Sequence, residues 1–319
     1  MTQSGHIKKF YTLFKIIGII IFFYILSKQD LKTIKEIFSK TDYFIVFLSI
    51  LLFPVMIFLK TLRIKSVLSC YTNEKLDSKI IYKSYMESYF WGTITPGKVG
   101  EFSRFFYINS VIKSKILSLF LVLIDRFIDL FLIIITGMIS FFYLLFYTGK
   151  IGFYRFSMLC AVCVVIFVLI NYLLLNKKLY ILLSGILKKF FTNFSLLNEL
   201  PDYAKNGLTG MIAKWNFITI VSWAIYFFQI FLLAAALKIN LSYGIIVVII
   251  SLSSLIALVP VSISGLGTRD AVIIYILSKI FNFPTEQGFS LAVLVFFIMY
   301  IEVIMGYVGV NVIFKTNND

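Results

Sequence analysis

Long apolar stretches alternate with short polar ones along almost the whole chain, and two Gly-rich breaks interrupt the pattern. About 20 apolar residues suffice to cross ~30 Å of hydrocarbon as a helix. Spans are predicted over Phe10–Ser27, Tyr43–Leu62, Phe153–Leu175, Trp215–Leu237, Leu241–Pro260 and Gly288–Phe314. Ile116–Tyr147 is longer, about 48 Å at 1.5 Å per residue, so its first turns should project or tilt. Ile80–Ile94 is amphipathic and aromatic and reads as a re-entrant or half-spanning helix, and Ala271–Phe281 as a short apolar one. In Lys177–Gly210, Leu179, Leu182, Leu183, Ile186, Leu187 and Phe190 recur at helical spacing against Lys177, Lys178, Lys188 and Lys189. That is the signature of a helix lying in the membrane interface.

These elements predict an all-α polytopic membrane protein. It has about seven to eight transmembrane helices and two broken or re-entrant segments. With no long polar stretch between the apolar blocks, residues 1–319 read as one membrane domain. Its halves, 1–150 and 151–319, are candidates for an inverted repeat, because the two breaks fall in corresponding positions. Composition agrees. The chain is 60% hydrophobic with a mean hydropathy of +0.96, where soluble domains hold roughly 45–50% apolar residues. The alternating pattern of an outer-membrane barrel is absent.

The net charge of +15 sits in short loops, which fits the positive-inside rule and contact with anionic lipid better than nucleic-acid binding. Lys60, Arg63, Lys65, Lys75, Lys79 and Lys83 form the densest basic cluster of the first half. They are read as a cytoplasmic loop, which places the N-terminus in the cytoplasm and the protein in the cell (plasma) membrane. No small-residue cleavage site follows the first span, so it is read as a retained helix rather than a signal peptide. Cys160 and Cys163 lie in an apolar run, where packing is the expected role.

The breaks carry the candidate chemistry. The first runs from Thr95 to Arg104 and holds Pro96, Gly97, Lys98, Gly100, Glu101 and Arg104. The second runs from Ser262 to Asp270 and holds Gly265, Gly267, Arg269 and Asp270. Gly and Pro free backbone groups that lipid cannot satisfy, so such segments belong inside protein or beside water. A helix restarting near Gly100 or Gly267 would aim free amides and its positive dipole end at the break, a seat for phosphate or carboxylate. Glu101 is placed to pair with Arg104 one turn on. The alternative is a pair of tight turns at helix ends, with their charges in interfacial water.

Asp125, Arg126 and Asp129 lie within the long apolar run. Asp125 and Asp129 share a helix face, and Arg126 is placed to reach Asp129. Charges at that depth line an interior cavity, or form a structural ion-pair cluster near the interface. Glu302 sits mid-span and calls for a buried cation, with Arg126 and Arg269 the candidates. Tyr82, Tyr85, Tyr89 and Trp91 read as an interfacial aromatic belt. His6 is the only histidine, which excludes a His-based triad or a clustered His metal site. No P-loop or dinucleotide fingerprint occurs, and neither a metal nor a cofactor is expected.

Taken in order, three strings resemble one family. Thr95-Pro96-Gly97-Lys98-Val99-Gly100-Glu101-Phe102-Ser103-Arg104 resembles an "N-x-x-x-P-G-x-x-G-E-x-x-R" region, and Asp125-Arg126-x-x-Asp129 a "D-R-x-x-D" element. Ser264-Gly265-Leu266-Gly267-Thr268-Arg269-Asp270 is similar to "G-G-x-G-x-R-E". Together they resemble the flippase-like family named for the transmembrane region of lysylphosphatidylglycerol synthetases, over nearly the whole chain. The chain departs from the pattern in carrying Thr93 near the Asn position, Ser264 for the first Gly and Asp270 for Glu. The resemblance implies lipid handling. In the multiple-peptide-resistance enzymes a related membrane region moves aminoacylated phosphatidylglycerol between leaflets, while a separate soluble domain attaches the amino acid. Related archaeal regions act on dolichol-phosphate sugars. No such soluble domain is expected within these 319 residues.

The expectation is therefore a translocator of anionic or zwitterionic phospholipid headgroups, or of polyprenyl-phosphate ones. Lys98, Arg104, Arg126 and Arg269 would bind phosphate, while Glu101, Asp129, Asp270 and Glu302 would hold those arginines and a substrate amine. Two other readings stay open. One is an integral membrane transferase, of the phosphatidylglycerol lysyltransferase type, with Asp125 or Glu101 as base. The other is a non-catalytic partner of a lipid-modifying enzyme encoded separately.

Overall fold

The computed structural model describes residues 18–71, 77–95, 97–175, 208–259, 262 and 264–315, and the regular elements among them are helical. Residues 18–26 form α1, followed by α2 (Leu31–Ser39), α3 (Tyr43–Ile50), α4 (Leu52–Tyr71) and α5 (Ser78–Ile94). A 3₁₀ turn (Val99–Ser103) leads into α6 (Arg104–Ile112), α7 (Lys115–Tyr147) and α8 (Phe153–Leu175). Then come α9 (Leu208–Ala236), α10 (Tyr243–Ala257), α11 (Thr268–Tyr275), a π turn (Ile276–Ile280) and α12 (Thr285–Lys315). Three stretches among the described residues are long and apolar enough to span a membrane: Tyr43–Cys70, Met211–Ala236 and Thr285–Val312. The protein is an all-helical integral membrane protein.

Local chemistry sets the helix starts. Asp42, Asp77, Ser114 and Ser242 each turn a side-chain oxygen onto free amides of the first turn of α3, α5, α7 and α10. Pro54 explains why α3 and α4 are separate helices of one span. Its ring clashes with the carbonyl four residues back, at Ile50, where α3 ends.

The second span runs further than the apolar pattern predicts. Helix α4 continues to Tyr71, so Lys60, Arg63 and Lys65 belong to the helix and not to a loop. The stretch between the first two predicted spans contains α2. The interfacial helix expected over Lys177–Gly210 lies outside the described residues apart from 208–210, which open α9, and so does the first span before residue 18.

Two apolar cores hold the helices together, and each mixes the halves of the chain. One gathers Val46 and Leu144 with Ile230, Leu233, Ile249, Ile273 and Leu291. The other gathers Ile57, Ile64, Ile81, Ile108 and Leu121 with Trp215 and Val303. Helix α9 packs along α3 and α4, and α12 packs against α5 and α11. Both breaks are thereby brought beside α12.

Candidate functional site

The centre of the site is Arg63 on α4, with no exposed surface. Its Nε and Nη2 donate to Asp125 Oδ1 at 2.9 and 2.6 Å. Nη1 and Nη2 donate to Asp129 Oδ1 and Oδ2 at 2.8 and 3.0 Å, and Nη1 also reaches Thr219 of α9 at 2.8 Å. One guanidinium therefore clamps both carboxylates of α7, whose four-residue spacing puts them on one face. Asp125 Oδ2 accepts from the Tyr85 hydroxyl at 2.7 Å and from Arg104 Nη1 at 2.5 Å. Lys60 Nζ donates to Asp129 Oδ2 at 2.9 Å. Arg104 also contacts Glu101 at 3.3 Å and stacks 4.2 Å from the Tyr85 ring centroid. Arg126 pairs with Glu101.

These side chains tie α4, α5, the first break, α7 and α9 into one buried network. Its logic is mutual neutralisation. A lone ion removed from water costs several kcal/mol, and charges survive at this depth only when paired and hydrogen-bonded. Asp125 is fully occupied by three donors and has no exposed surface, so it serves as a structural anchor in this arrangement.

Beside the network lies a cavity of about 120 Å³. Lys60, Lys98, Glu101, Arg126 and Asp129 give it a charged wall, and Tyr89, Trp223 and Tyr226 an aromatic one. The rest is apolar, from Phe53, Met56, Ile230, Leu233, Val295 and Ile298, broken by Gln229 and Glu302. Lys60 Nζ sits 5.6 and 5.8 Å from the Tyr89 and Trp223 ring centroids, within cation–π range.

The sequence-derived candidates separate on this geometry. Lys98, Glu101, Arg126, Asp129 and Glu302 meet at the cavity wall. Lys98 holds a left-handed backbone (φ 56°) after Gly97 (φ 62°), is half-buried, and meets no acid among the described residues. Gly100 is a packing glycine, since a Cβ there would strike the Trp91 carbonyl oxygen. Pro96 lies outside the described residues. Arg104 faces Asp125 and Glu101 behind the wall. In the second break Gly265 and Gly267 have positive φ (81° and 78°), and α1 packs so closely that a Cβ on Gly267 would strike the Gly18 carbonyl. Arg269 pairs with its neighbour Asp270 at 3.2 Å.

The second break touches the end of α5, two residues before the first break begins. Ser264 Oγ donates to the Thr93 carbonyl at 2.5 Å, and Tyr300 of α12 reaches the same carbonyl at 3.4 Å. Arg269 Nη1 lies 3.9 Å from the sulfur of Met299, a cavity-wall residue.

Several expectations are corrected by these contacts. Arg126 binds Glu101, not Asp129, because Arg63 and Lys60 already fill the Asp129 carboxylate. Glu302 has no cation among the described residues; its bond comes from the Gln229 amide, which also donates to the Ser49 carbonyl at 3.1 Å. Tyr85 is buried in the network and is no belt residue. The free-amide argument also gives way. Gly100 N–H donates to Thr95 Oγ1 at 2.7 Å and Glu101 N–H to the Lys98 carbonyl at 3.1 Å. In the second break Asp270 caps Gly267 N–H at 2.9 Å. Cations on side chains, rather than helix ends, supply the positive field.

Lys60, Arg63 and Thr219 were not among the sequence-derived candidates. The available signal was Lys60 and Arg63, three residues apart on one helical face, followed at helical spacing by apolar Ile64, Val67 and Leu68.

The model of the family described as "Lysylphosphatidylglycerol synthase TM region" matches residues 13–306. The chain belongs to this family. No curated protein and no solved structure matches it. The family region takes in both breaks, α7 and Glu302, so every member of the charge network falls inside it. Family membership and the buried charges together link the protein to lipid modification or translocation in a membrane.

Proposed function

We propose that this protein translocates lipids by passing an anionic phospholipid or polyprenyl-phosphate headgroup through the cavity while the acyl chains stay in the bilayer. The observation that carries the reading is the charge count of the cavity wall together with the buried network behind it. The wall holds Lys60, Lys98 and Arg126 against Glu101, Asp129 and Glu302, and the network adds Arg63 and Arg104 against Asp125, so five cations less four acids leaves a formal surplus of one positive charge. A phosphodiester carries one negative charge, which that surplus attracts. Lys98 and Arg126, on the wall, are the cations best placed to meet a phosphate. Arg63 and Arg104 hold the carboxylates that keep the wall in shape.

In the same reading about seven to eight helices cross the plasma membrane, the N-terminus is cytoplasmic, and the two breaks come from halves of inverted topology. A transferase that uses Asp125 as base finds no support in the geometry, since both carboxylate oxygens are already bonded.

Purified protein in liposomes with fluorescent phospholipids and polyprenyl phosphates tests the proposal. Dithionite quenching should reveal leaflet exchange of anionic lipids well above protein-free vesicles. Folded protein that leaves exchange at the protein-free rate for the entire panel would refute it.

A further inference from the structure

Glu302 differs from the other acids of the site. Asp125, Asp129 and Glu101 each touch at least one arginine, whereas Glu302, only 6% exposed, is met by a neutral amide. It lies on a long apolar helix and faces the cavity that holds Lys98 and Arg126. The surroundings are specific. Among the elements packed on α12, α5 presents Tyr89, α9 presents Tyr226 and Gln229, and α11 presents Arg269, whose guanidinium is engaged by Asp270. The other titratable groups of the wall are Lys60 on α4, Lys98 and Glu101 of the first break, and Arg126 and Asp129 on α7. Of these, Lys60, Glu101, Arg126 and Asp129 are committed to one another or to Arg63 and Arg104. The charged side chains of α2 and the π turn do not line the cavity.

A carboxyl in that position can exchange a proton without breaking an ion pair, which none of the other three acids can do. The Gln229 Nε2 donor is compatible with both states, because the carboxylate and the carbonyl oxygen of the acid each accept. Charge bookkeeping then favours a coupled event. An anionic headgroup entering the cavity brings one negative charge near Glu302, and like charges in a poorly solvated space disfavour joint ionisation. Uptake of one proton by the carboxylate restores the charge that the site held before the lipid arrived.

We propose that Glu302 is a proton-binding site coupled to headgroup binding, so that one proton and one anionic lipid occupy the cavity together. The inference rests on the translocation reading for its cargo. The step moves a proton from water to a Glu302 carboxylate oxygen and changes no other bond. Lipid and proton then cross as a neutral pair, without work against the membrane potential.

Linkage makes this measurable. Dihexanoylphosphatidylglycerol is titrated into the detergent-solubilised full-length protein in weak buffer with a pH-indicator dye. Wild type should take up about one proton per lipid bound, and the lipid Kd should rise with pH, approaching ~tenfold per unit. E302Q should bind with no proton uptake and a pH-independent Kd, whereas E302D should retain uptake. Infrared difference spectra guard against a folding defect, since lipid addition to wild type should produce the C=O stretch of one protonated carboxyl. Binding without uptake in wild type, uptake that persists in E302Q, or no binding at any pH would each overturn the proposal. Leaflet exchange on the same preparation keeps the two readings apart. Exchange without proton uptake leaves translocation standing and removes the coupling, while loss of exchange counts against translocation itself.

Discussion

Replacing Arg63 with methionine should be the most damaging single change in the buried network. The guanidinium makes six hydrogen bonds, to Asp125, Asp129 and Thr219. Methionine fills much the same volume but leaves two buried carboxylates short of their clamp. Asp125 keeps Tyr85 and Arg104, and Asp129 keeps Lys60, so neither is wholly orphaned. Breaking one side of a buried ion pair costs about 3–5 kcal/mol, a large part of the ~5–15 kcal/mol that holds a typical protein folded. A loss of that size lowers the melting temperature on the order of 10 °C, at ~2–4 °C per kcal/mol for a chain of some 200 residues or more. Fluorescence-detected size-exclusion after stepwise heating reads the shift in detergent. The penalty comes from unpaired acids rather than lost volume, so R63M combined with D125N, which leaves Asp129 to Lys60 and Arg104 to Glu101, should recover part of the lost stability. An R63M protein that melts with wild type, or a double variant no better than R63M, would refute the account of the network.

Two further substitutions separate the cavity wall from its scaffold. K98Q removes a cation that holds no acid among the described residues, so melting should be unchanged while leaflet exchange of anionic lipid falls about tenfold, one lost charge-assisted contact of ~1.5 kcal/mol. G100A drives a methyl group into the Trp91 carbonyl and should destabilise by about 1–3 kcal/mol, read by the same melt, with relief of neither strain nor exchange in a K98Q background.

The helical class and the three long spans were legible because one physical requirement, an apolar stretch of bilayer length, is written locally in the residues. The same holds for Asp125 and Asp129, since acids in an apolar run are expensive enough to announce themselves. Their partners were not legible, and the reason is specific. Lys60 and Arg63 close an apolar run and precede Lys65, Lys75 and Lys79, which is how a cytoplasmic loop looks under the positive-inside rule. Only the continued helical period through Ile64, Val67 and Leu68 distinguished buried helix from loop, and charge density masked it. Pairing itself is tertiary. Arg126 is three residues from Asp129 along one helix, yet it binds Glu101 from another segment, because Lys60 and Arg63 reach Asp129 from across the bundle.

The breaks show the same division more sharply. Their glycines, at positive φ or in close packing, follow from local sterics, and Gly97, Gly100, Gly265 and Gly267 all play such roles. An anion seat at a helix end requires in addition that nothing nearer take the amides, and Thr95, Lys98 and Asp270 do take them. The positive field at the cavity therefore depends on how many side-chain cations exceed the acids once all pairs are made. That excess is a property of the assembled helices. It places Lys98, which meets no acid among the described residues, and Glu302, which meets no cation among them, in one cavity, where an anion and a proton would find their respective partners.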